Sequence, residues 1–256
     1  MAMRAEEMKV TRRSFLATSA GAGLVMGLGV VLPGCSREQA VEEMAVDAAS
    51  LSFAPTVWFE MDGNGNVLVN IAKAEMGQHV GTALARIIAE ELGADWDRVT
   101  IKHVDSHPKW GYMVTGGSWS VHTTFAMFSQ AGAAGRMILR DAGAALLGAD
   151  PADTTVENGM VSAGGQSVSF AEVVQKGDIS RTFTPEELAE LPIKPAAERT
   201  IIGKSTSALD IPAKSSGTAV YGIDIELDGM VFAHPMIPPT RYGSTSRSID
   251  DTAAKD

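Results

Sequence analysis

The stretch Glu75-Met-Gly-Gln-His-Val-Gly-Thr-Ala-Leu-Ala-Arg-Ile-Ile-Ala-Glu-Glu-Leu-Gly93 contains a change of pattern from strand to helix. Before it, Val67-Leu-Val-Asn-Ile71 is typical of an extended strand. Within it, the apolar residues recur at the spacing of one helix face: Val80, Leu84, Ile87, Ile88 and Leu92. Gly77 and Gly81 lie where the period changes, and glycine permits both a tight turn and a close approach of the backbone to a ligand. The sequence therefore predicts a strand, a glycine turn and an amphipathic helix.

The predicted turn has the features of a site for an anionic, planar ligand. The first N–H groups of a helix have no partner inside it, so they are free to point at a ligand. The amide of Gln78 both donates and accepts hydrogen bonds, which suits the polar edge of a heterocycle. A second loop, Thr115-Gly-Gly-Ser-Trp-Ser120, also precedes a predicted helix and offers hydroxyl and N–H groups for a phosphate. We expect the two loops to lie together.

Composition limits the class of partner. The 256 residues are 45% hydrophobic, which is enough for the core of one or two globular domains. The net charge of −10 and the scattered basic residues argue against a nucleic-acid partner and favour a small molecule or a protein. Because Cys35 is the single cysteine of the sequence, the chain can form no internal disulfide. An iron–sulfur cluster needs about four thiolates and must come from another subunit.

The N-terminus has the pattern of an export signal. Twin arginines in Thr11-Arg-Arg-Ser-Phe-Leu16 precede a glycine-rich, weakly hydrophobic run, Ala17 to Leu32, which predicts twin-arginine export to the periplasm. The alternative is a short anchor, although the run is shorter than the ~20 residues of a membrane span. Leu32-Pro-Gly-Cys35 approximates a lipoprotein cleavage box, so Cys35 is either acylated and a membrane anchor or an incidental thiol. We assign residues 1–36 to the signal and 37–55 to a linker, and we expect residues 36–52 to have no role in the core.

The remaining patterns predict an α+β protein. Two hairpins are expected, with turns at Asp62-Gly-Asn-Gly65 and Asn158-Gly159. The other predicted elements are a strand at Arg98–His103, a helix from about Val121 to Leu147, capped short helices after Ser169 and Thr184, and strands between Lys214 and Met230. Small residues in Ala131-Gly-Ala-Ala-Gly135 predict close contact of the long helix with another backbone. We expect Glu90 and Glu91 on the solvated side of the first helix, and a domain boundary at the prolines before residue 196.

Several of these segments resemble the molybdopterin-binding subunit of the xanthine dehydrogenase family. The resemblance includes Gly77-Gln78, Ala89-Glu-Glu-Leu-Gly93, Asp95-Trp-Asp-Arg-Val99, Thr115-Gly-Gly-Ser118 and Gln130-Ala-Gly-Ala-Ala-Gly-Arg136. Their order and spacing are most similar to the isoquinoline 1-oxidoreductase and membrane-associated aldehyde dehydrogenase types, in which the Gly-Gln segment is near the N-terminus. Further on, Leu209-Asp-Ile-Pro-Ala-Lys214 and Gly217-Thr-Ala-Val-Tyr-Gly-Ile-Asp224 resemble the start of the α/β hammerhead domain of that family.

The resemblance implies a fold, a cofactor and partners. Residues 56–195 would form a mixed hairpin-and-helix molybdopterin-binding segment, and 196–256 the first part of the hammerhead domain. The cofactor would be molybdopterin with molybdenum, in its cytosine dinucleotide form, and the substrate an aldehyde or an aromatic N-heterocycle oxidised with oxygen from water. Electrons would pass to a partner subunit with a [2Fe-2S] cluster and then to a respiratory acceptor such as a membrane cytochrome c. The implied cofactor-binding residues are Gly77, Gln78, His79, Thr115, Gly116, Gly117, Ser118, Trp119 and Ser120.

Other candidate residues have alternative interpretations. His79 replaces the commoner glycine of the family motif, so we expect contact through its backbone rather than its ring. The spacing of His103 and His107 suits two metal ligands on one helix face, but Pro108 argues against a helix there, and we assign no metal ligand. Trp110, Tyr112 and Trp119 form either a wall of the substrate site or local packing. No nucleophile-elbow pattern surrounds Ser118 or Ser120, which favours phosphate or pterin contact over acyl chemistry.

The catalytic glutamate of the family lies in a C-terminal Gly-Val-Gly-Glu-type segment that this sequence lacks, so we name no catalytic residue. We therefore expect the chain to be the first part of a molybdenum hydroxylase large subunit, either truncated or naturally split, and to need the remainder of that subunit for turnover. The competing hypothesis is an exported binding module that retains half of a cofactor site without catalysis.

Overall fold

The computed structural model describes residues 47–240 and 242–254. The predicted export signal, Cys35 and most of the predicted linker lie outside these residues. The last residues of the predicted linker, however, form regular secondary structure. Residues Ala48–Ser50 form a 3₁₀ turn, β1 follows at Ser52–Thr56, and Phe53 is only 3% exposed. The linker assignment is therefore wrong for residues 52–55, which belong to an edge strand that covers apolar surface of the hairpin. The expectation of no role in the core is wrong for Leu51, which packs against the core.

A four-stranded sheet forms one layer of the fold. Strand β1 pairs antiparallel with β2 (Phe59–Asp62), which pairs antiparallel with β3 (Val67–Ile71). Strand β4 (Val99–His103) runs parallel to β3, with Val67 opposite Val99 and Ile71 opposite His103. A parallel pair requires a crossover connection, and helix α1 (Val80–Leu92) provides it. The glycine turn thus lies between the end of β3 and the start of α1, as the sequence predicts.

The long helix α2 (Ser120–Leu147) packs against two different parts of the fold. One part of it packs on α1, and another on a second sheet made of β5 (Thr155–Glu157), β6 (Met160–Ala163) and β7 (Gln166–Ser169). Three short helices follow, α3 (Phe170–Lys176), α4 (Pro185–Glu190) and α5 (Ile211–Ser216). The α+β class is confirmed, and the predicted capping boxes at Ser169 and Thr184 are both present.

The small residues of α2 permit the close contact that the sequence predicts. A Cβ atom added at Gly132 would lie 2.7 Å from the carbonyl oxygen of Ile88 and 2.7 Å from Cβ of Glu91, both on α1. One at Gly135 would lie 2.7 Å from the Phe59 ring, and one at Gly143 would lie 2.6 Å from Val161. Glycine is therefore required where α2 crosses the other elements, because any side chain would separate them.

Glu90 and Glu91 are not on a solvated side of α1, so that expectation is wrong. Their exposed fractions are 0% and 1%. The Glu90 carboxylate accepts N–H hydrogen bonds from Thr200, Ile201 and Ile202 at 2.7–3.1 Å. Such bonds compensate a buried carboxylate for lost hydration. The chain after α4 therefore lies across the helix face that the sequence pattern assigns to water.

The neighbouring Glu91 carboxylate accepts hydrogen bonds from fewer backbone N–H groups than Glu90 does. It accepts from the backbone N–H of Lys194 at 2.9–3.0 Å and lies 3.6 Å from the Arg136 guanidinium. Glu90 thus bonds to chain on both sides of residue 195, and Glu91 to Lys194 on the N-terminal side. The domain boundary proposed there stays a prediction.

Strands expected between Lys214 and Met230 are absent, since β7 is the last strand within 47–240 and 242–254. The segment instead contains α5 and a 3₁₀ turn at Gly222–Asp224. Its apolar side chains are solvated, with Ile223 94% and Leu227 70% exposed. A strand requires a ladder partner for its N–H and C=O groups, and no described segment offers one here. Within the described residues, none of the helices is both long enough and apolar enough for a bilayer span.

Candidate functional site

The two glycine loops are neighbours in space. The backbone N–H of Ala74, at the end of β3, donates to the Thr115 hydroxyl at 2.8 Å. The ammonium group of Lys73 donates to the carbonyl oxygens of Tyr112 and Val114 at 3.0 and 3.1 Å. These three bonds join segments about forty residues apart in the sequence. The structure therefore brings together the two groups of residues that the sequence predicts as a site.

The start of α1 is already occupied by an internal carboxylate. Glu75 accepts N–H hydrogen bonds from Gly77 at 2.8 Å, His79 at 3.1 Å and Val80 at 3.0 Å. A carboxylate at a helix N-terminus satisfies the free N–H groups and is stabilised by the helix dipole. Glu75 thus takes the N–H groups of Gly77, His79 and Val80, whereas those of Gly81 and Thr82 have no acceptor among the described residues. The expectation that the first N–H groups of α1 face a ligand stays a prediction.

Gln78 and the two glycines of the first turn have different environments. The Gln78 side chain accepts from Met76 N–H at 2.7 Å and donates to the Ala74 carbonyl at 2.9 Å. This leaves its exposed amide with one further donor and one acceptor lone pair for a ligand. Gly77 has a positive φ of 105° and open space where a side chain would lie, whereas a Cβ at Gly81 would lie 2.7 Å from Ile101. Gly77 thus leaves room for a ligand, while Gly81 serves helix–strand packing.

The His79 ring turns away from the loops to an ionic cluster. His79 has a left-handed φ of 59°, and its Nδ1 lies 2.7 Å from the Asp210 carboxylate. Lys214 bridges the cluster, with its Nζ 2.6 Å from Asp210 and 2.8 Å from Glu75. Burial alone would raise the pKa of both carboxyl groups, but hydrogen bonds to Lys214 and its charge bring the pKa of Glu75 and of Asp210 below the usual value. This cluster fixes the Glu75 cap and fastens α5 to the first turn.

Replacing Lys214 by methionine is expected to destabilise the protein by about 1–2 kcal/mol, since two half-buried carboxylates lose their shared cation. Because the folded-state pKa of each carboxyl is depressed, the cluster stabilises the fold above the ordinary carboxyl range of about pH 4 and loses this effect as pH falls. The variant should therefore show a shallower loss of stability on acidification. Denaturant titrations between about pH 3 and 7 measure this difference. Lys176→Met, which breaks an exposed pair at 3.7 Å, is the control and should change nothing measurable. Equal acid profiles for wild type and Lys214→Met would exclude the bridging role.

The second loop differs from the first in that, among the described residues, no side chain accepts a hydrogen bond from its N–H groups. Gly117 and Ser118 adopt consecutive left-handed conformations, with φ of 58° and 60°. In the chain that the structure describes, the N–H groups of Gly116, Gly117 and Ser118 have no acceptor, and no side chain caps the start of α2. Gly116 also has open space around its Cα. A 28-residue helix with an uncapped N-terminus and adjoining free N–H groups suits a phosphate or another anion.

Trp119 and Ser120 complete this loop at the start of α2. The Trp119 side chain is 61% exposed and meets the His122 ring edge-on, with 5.8 Å between ring centroids. Ser120 is the first residue of α2, and its carbonyl oxygen accepts from the Thr124 hydroxyl at 2.6 Å. The hydroxyl of Ser120 forms no hydrogen bond within the described chain, so it remains available to a ligand bound at the helix end.

The aromatic loop residues divide into packed and exposed ones. Trp110 is 7% exposed and its ring lies 5.8 Å from that of Trp58, whereas Tyr112 is 71% exposed. A cavity of about 350 Å³ lies beside this packing and is lined in part by Trp58, Lys73 and Phe128, which sequence reasoning missed. The available signal was Lys73 itself, a lysine placed directly after the apolar run of β3. The expected wall of three aromatics thus exists only in part, because Trp119 lies on the other loop.

In the described part of the chain, no group of three or more His, Cys, Asp and Glu side chains is placed to hold a metal ion. His103 and His107 have separate roles. The Nδ1 of His103 lies 3.1 Å from the Lys73 carbonyl, and that of His107 accepts from the Lys109 N–H at 3.1 Å.

The fold is an α+β segment in which two glycine loops meet beside the start of a long helix. Residues 3–198 match the family model described as the molybdopterin cofactor-binding domain, and the chain belongs to that family. A membrane-bound aldehyde dehydrogenase [pyrroloquinoline-quinone] from Gluconacetobacter polyoxogenes is 51% identical to this chain, and the match covers 98% of the chain and 32% of that relative. The beta subunit of isoquinoline 1-oxidoreductase from Brevundimonas diminuta is 26% identical, and the match covers 98% of the chain and 36% of that relative.

A third relative is a subunit of nicotinate dehydrogenase from Pseudomonas putida, which is 26% identical over 72% of the chain and 15% of the relative. The chain thus spans about a third or less of the length of the curated relatives that it matches. A solved structure, quinoline 2-oxidoreductase from Pseudomonas putida 86, is 25% identical over 45% of the chain and 15% of that protein, with a TM-score of 0.36. That score is too low to support an argument about the fold.

Proposed function

We propose that this chain is the N-terminal, cofactor-binding part of a molybdenum hydroxylase large subunit. The complete enzyme would oxidise an aldehyde or an aromatic N-heterocycle, with water as the source of oxygen. The observation that carries the proposal is the hydrogen bond from Ala74 N–H to the Thr115 hydroxyl at 2.8 Å, which joins the Gly77-Gln78 turn to the free helix end at Ser118. Membership of the molybdopterin-binding family supports it.

Each loop residue would have a defined task. The N–H groups of Gly116, Gly117 and Ser118 would bind a phosphate of the dinucleotide, aided by the dipole of α2. The Gln78 amide would bind the polar edge of the pterin, and the open space at Gly77 would admit its ring. The cofactor, when bound, supplies the two-electron oxidation and the oxygen transfer. The protein supplies binding and orientation, and the Thr115 bond fixes the distance between the two loops.

The electron acceptor and the location follow from the same proposal. With Cys35 as its single cysteine, the chain itself has too few thiolates for a [2Fe-2S] cluster, so electrons would leave to a separate iron–sulfur subunit and then to a membrane cytochrome c. Twin-arginine export would place the protein in the periplasm, and acylation at Cys35 would attach it to the membrane. Similarity to a membrane-bound aldehyde dehydrogenase is compatible with such an attachment.

A charge substitution at the second loop tests the cofactor site. Ser118→Asp adds a carboxylate beside the free helix end, where it would compete with a phosphate as Glu75 does at α1. Asparagine has nearly the same shape without the charge, and both residues tolerate a left-handed φ. In protein purified from its natural host, we expect at least about a tenfold loss of bound molybdenum and pterin for Ser118→Asp, and a much smaller loss for Ser118→Asn. Metal analysis and the fluorescence of the oxidised pterin measure both.

The outcomes separate the alternatives. Equal occupancy in wild type, Ser118→Asp and Ser118→Asn would remove this loop from the site. A relative carries pyrroloquinoline quinone in its name, so the preparation is also assayed for a quinone. Recovery of a quinone without molybdenum would contradict the proposal. Bound molybdopterin without oxidation of any aldehyde or N-heterocycle would favour the non-catalytic binding module.

A further inference from the structure

The cavity of about 350 Å³ beside the aromatic loop has an unusual combination of walls. Trp58, Trp110 and Phe128 provide large apolar surfaces, with ring centroids 5.8 Å apart for Trp58 and Trp110 and 5.1 Å apart for Trp58 and Phe128. The volume falls in the range of about 300–1,000 Å³ that is typical of small-molecule sites. Rings at these distances are in contact with one another and form one continuous aromatic surface, against which a flat, unsaturated ligand packs well.

The charged side chains that line the cavity are all positive. Lys73 and Lys109 line it, and none of the twelve lining residues is an aspartate or a glutamate. This contrasts with the net charge of −10 of the whole sequence. Lys109 is exposed and places its ammonium group 4.3 Å from the centre of the Trp110 ring. The cavity is therefore a cationic site in an acidic protein.

Lys73 lacks the counter-ion that a buried lysine normally has. Its exposed fraction is 4%, and among the described residues no carboxylate lies within ion-pair distance of it. It donates to two carbonyl oxygens, which leaves one of its three N–H groups available. Burial lowers the pKa of Lys73, and a bound anion would oppose that shift. Buried charges are costly without a partner, so an anion in the cavity would satisfy this group.

We infer that the cavity is a binding site for a planar aromatic carboxylate. The ligand ring would pack against the aromatic surface that Trp58 and Trp110 present to the cavity, and the carboxylate would accept hydrogen bonds from Lys73 and Lys109. This site is distinct from the phosphate-binding loop, since it lies between the loop of Trp110 and the first turns of α2 and contains none of Gly116, Gly117 or Ser118. The inference does not depend on the proposed function, because it rests only on the chemistry of the cavity walls.

Benzoate and the neutral, isosteric benzamide test the inference. Titration calorimetry and quenching of tryptophan fluorescence on the 256-residue chain should show saturable benzoate binding, with a Kd of roughly 0.1–1 mM, as expected of a nine-atom ligand. Benzamide should bind at least about tenfold more weakly, because it brings no charge to the two lysines. Since burial depresses the pKa of Lys73, benzoate affinity should fall as the pH rises and the ammonium loses its proton.

Three lysine substitutions complete the test. Lys73→Met and Lys109→Met should each weaken benzoate binding at least about fivefold. Lys109 is exposed, so its variant remains informative if Lys73→Met disturbs the loop. Lys102→Met, on an exposed lysine of β4 that does not line the cavity, is the matched control and should leave the affinity unchanged. Absence of saturable benzoate binding, equal affinity for benzoate and benzamide, or unchanged affinity in Lys109→Met would each overturn the inference.

Discussion

Replacement of Glu90 by glutamine is expected to lower the free energy of unfolding by about 3 kcal/mol or more. The Glu90 carboxylate is fully buried and accepts three backbone N–H groups from residues 200–202, with the Lys194 ammonium 3.4 Å away. The glutamine amide has only one acceptor oxygen, and its NH₂ group would face backbone N–H groups, which cannot accept a hydrogen bond. At least one buried N–H group and the Lys194 cation would then lose a partner.

The neighbouring Glu91 provides a matched comparison on the same helix. Burial raises the pKa of Glu91, with partial opposition from the Lys194 N–H and the Arg136 charge. For Glu90, burial is outweighed by the N–H groups of Ile202, Ile201 and Thr200, so its pKa is lowered. The Glu90 charge is therefore stabilised by the fold, whereas the Glu91 charge is tolerated at a cost. Glu91→Gln should change the free energy of unfolding by less than about 1 kcal/mol.

The two substitutions should also differ in their pH dependence. A lowered folded-state pKa means that Glu90 stabilises the fold at neutral pH and that this effect is lost as pH falls through that pKa. A raised pKa means that acidification relieves the penalty of the Glu91 charge. Denaturant unfolding of wild type, Glu90→Gln and Glu91→Gln at about pH 7 and pH 4 measures both effects. Similar losses in the two variants, or a larger loss in Glu91→Gln, would show that hydrogen bonds to residues 200–202 do not stabilise the charge.

Replacement of Gly132 by valine is expected to cost about 3 kcal/mol, since even its first carbon would lie 2.7 Å from the Ile88 carbonyl oxygen. The helices α1 and α2 would have to separate, and that movement would weaken the packing of Leu92 and Phe59 around the neighbouring Gly135. Thermal unfolding followed by circular dichroism measures the loss, with a fall in Tm of roughly 6–12 °C for a domain of this size.

Ala126→Val is the control on the same helix. Ala126 is exposed, so the larger side chain meets solvent and costs only the difference in helix propensity, about 0.5 kcal/mol. A Tm for Gly132→Val that matches the Ala126→Val value would mean that α1 and α2 do not require a glycine at their crossing. The comparison therefore separates helix–helix packing from helix propensity.

The elements that are local in sequence could be predicted without the structure. The apolar period gave α1 and most of α2, the Asn158-Gly159 pair gave the β5–β6 turn, and the spacing of Ser169 and Glu172 gave the α3 cap. Each depends on residues within a few positions of one another, so the physical cause is complete within a short window of sequence. The resemblance to the molybdopterin-binding family was equally accessible, since it rests on motifs in order along the chain.

The environment of the charged groups was decided only by tertiary structure. Glu90 lies off the apolar stripe of α1, yet it is buried because partners about 110 residues away lie over it. Glu91 lies on the stripe itself, four residues after Ile87, and its carboxylate is accommodated there by the Lys194 N–H, 103 residues away. Glu75 takes the Val80 N–H, the first of the helix N–H groups expected to bind a ligand, and Lys214, 139 residues away, bonds to Glu75. Sequence alone determined the helices, turns and caps up to α4, but not the segment from residue 211 to 230, where a helix and a 3₁₀ turn replace the expected strands. Which carboxylates are buried, and which loop is capped by a carboxylate, depended on contacts between distant segments, because burial and hydrogen bonding of charges are set by the chain that folds over them.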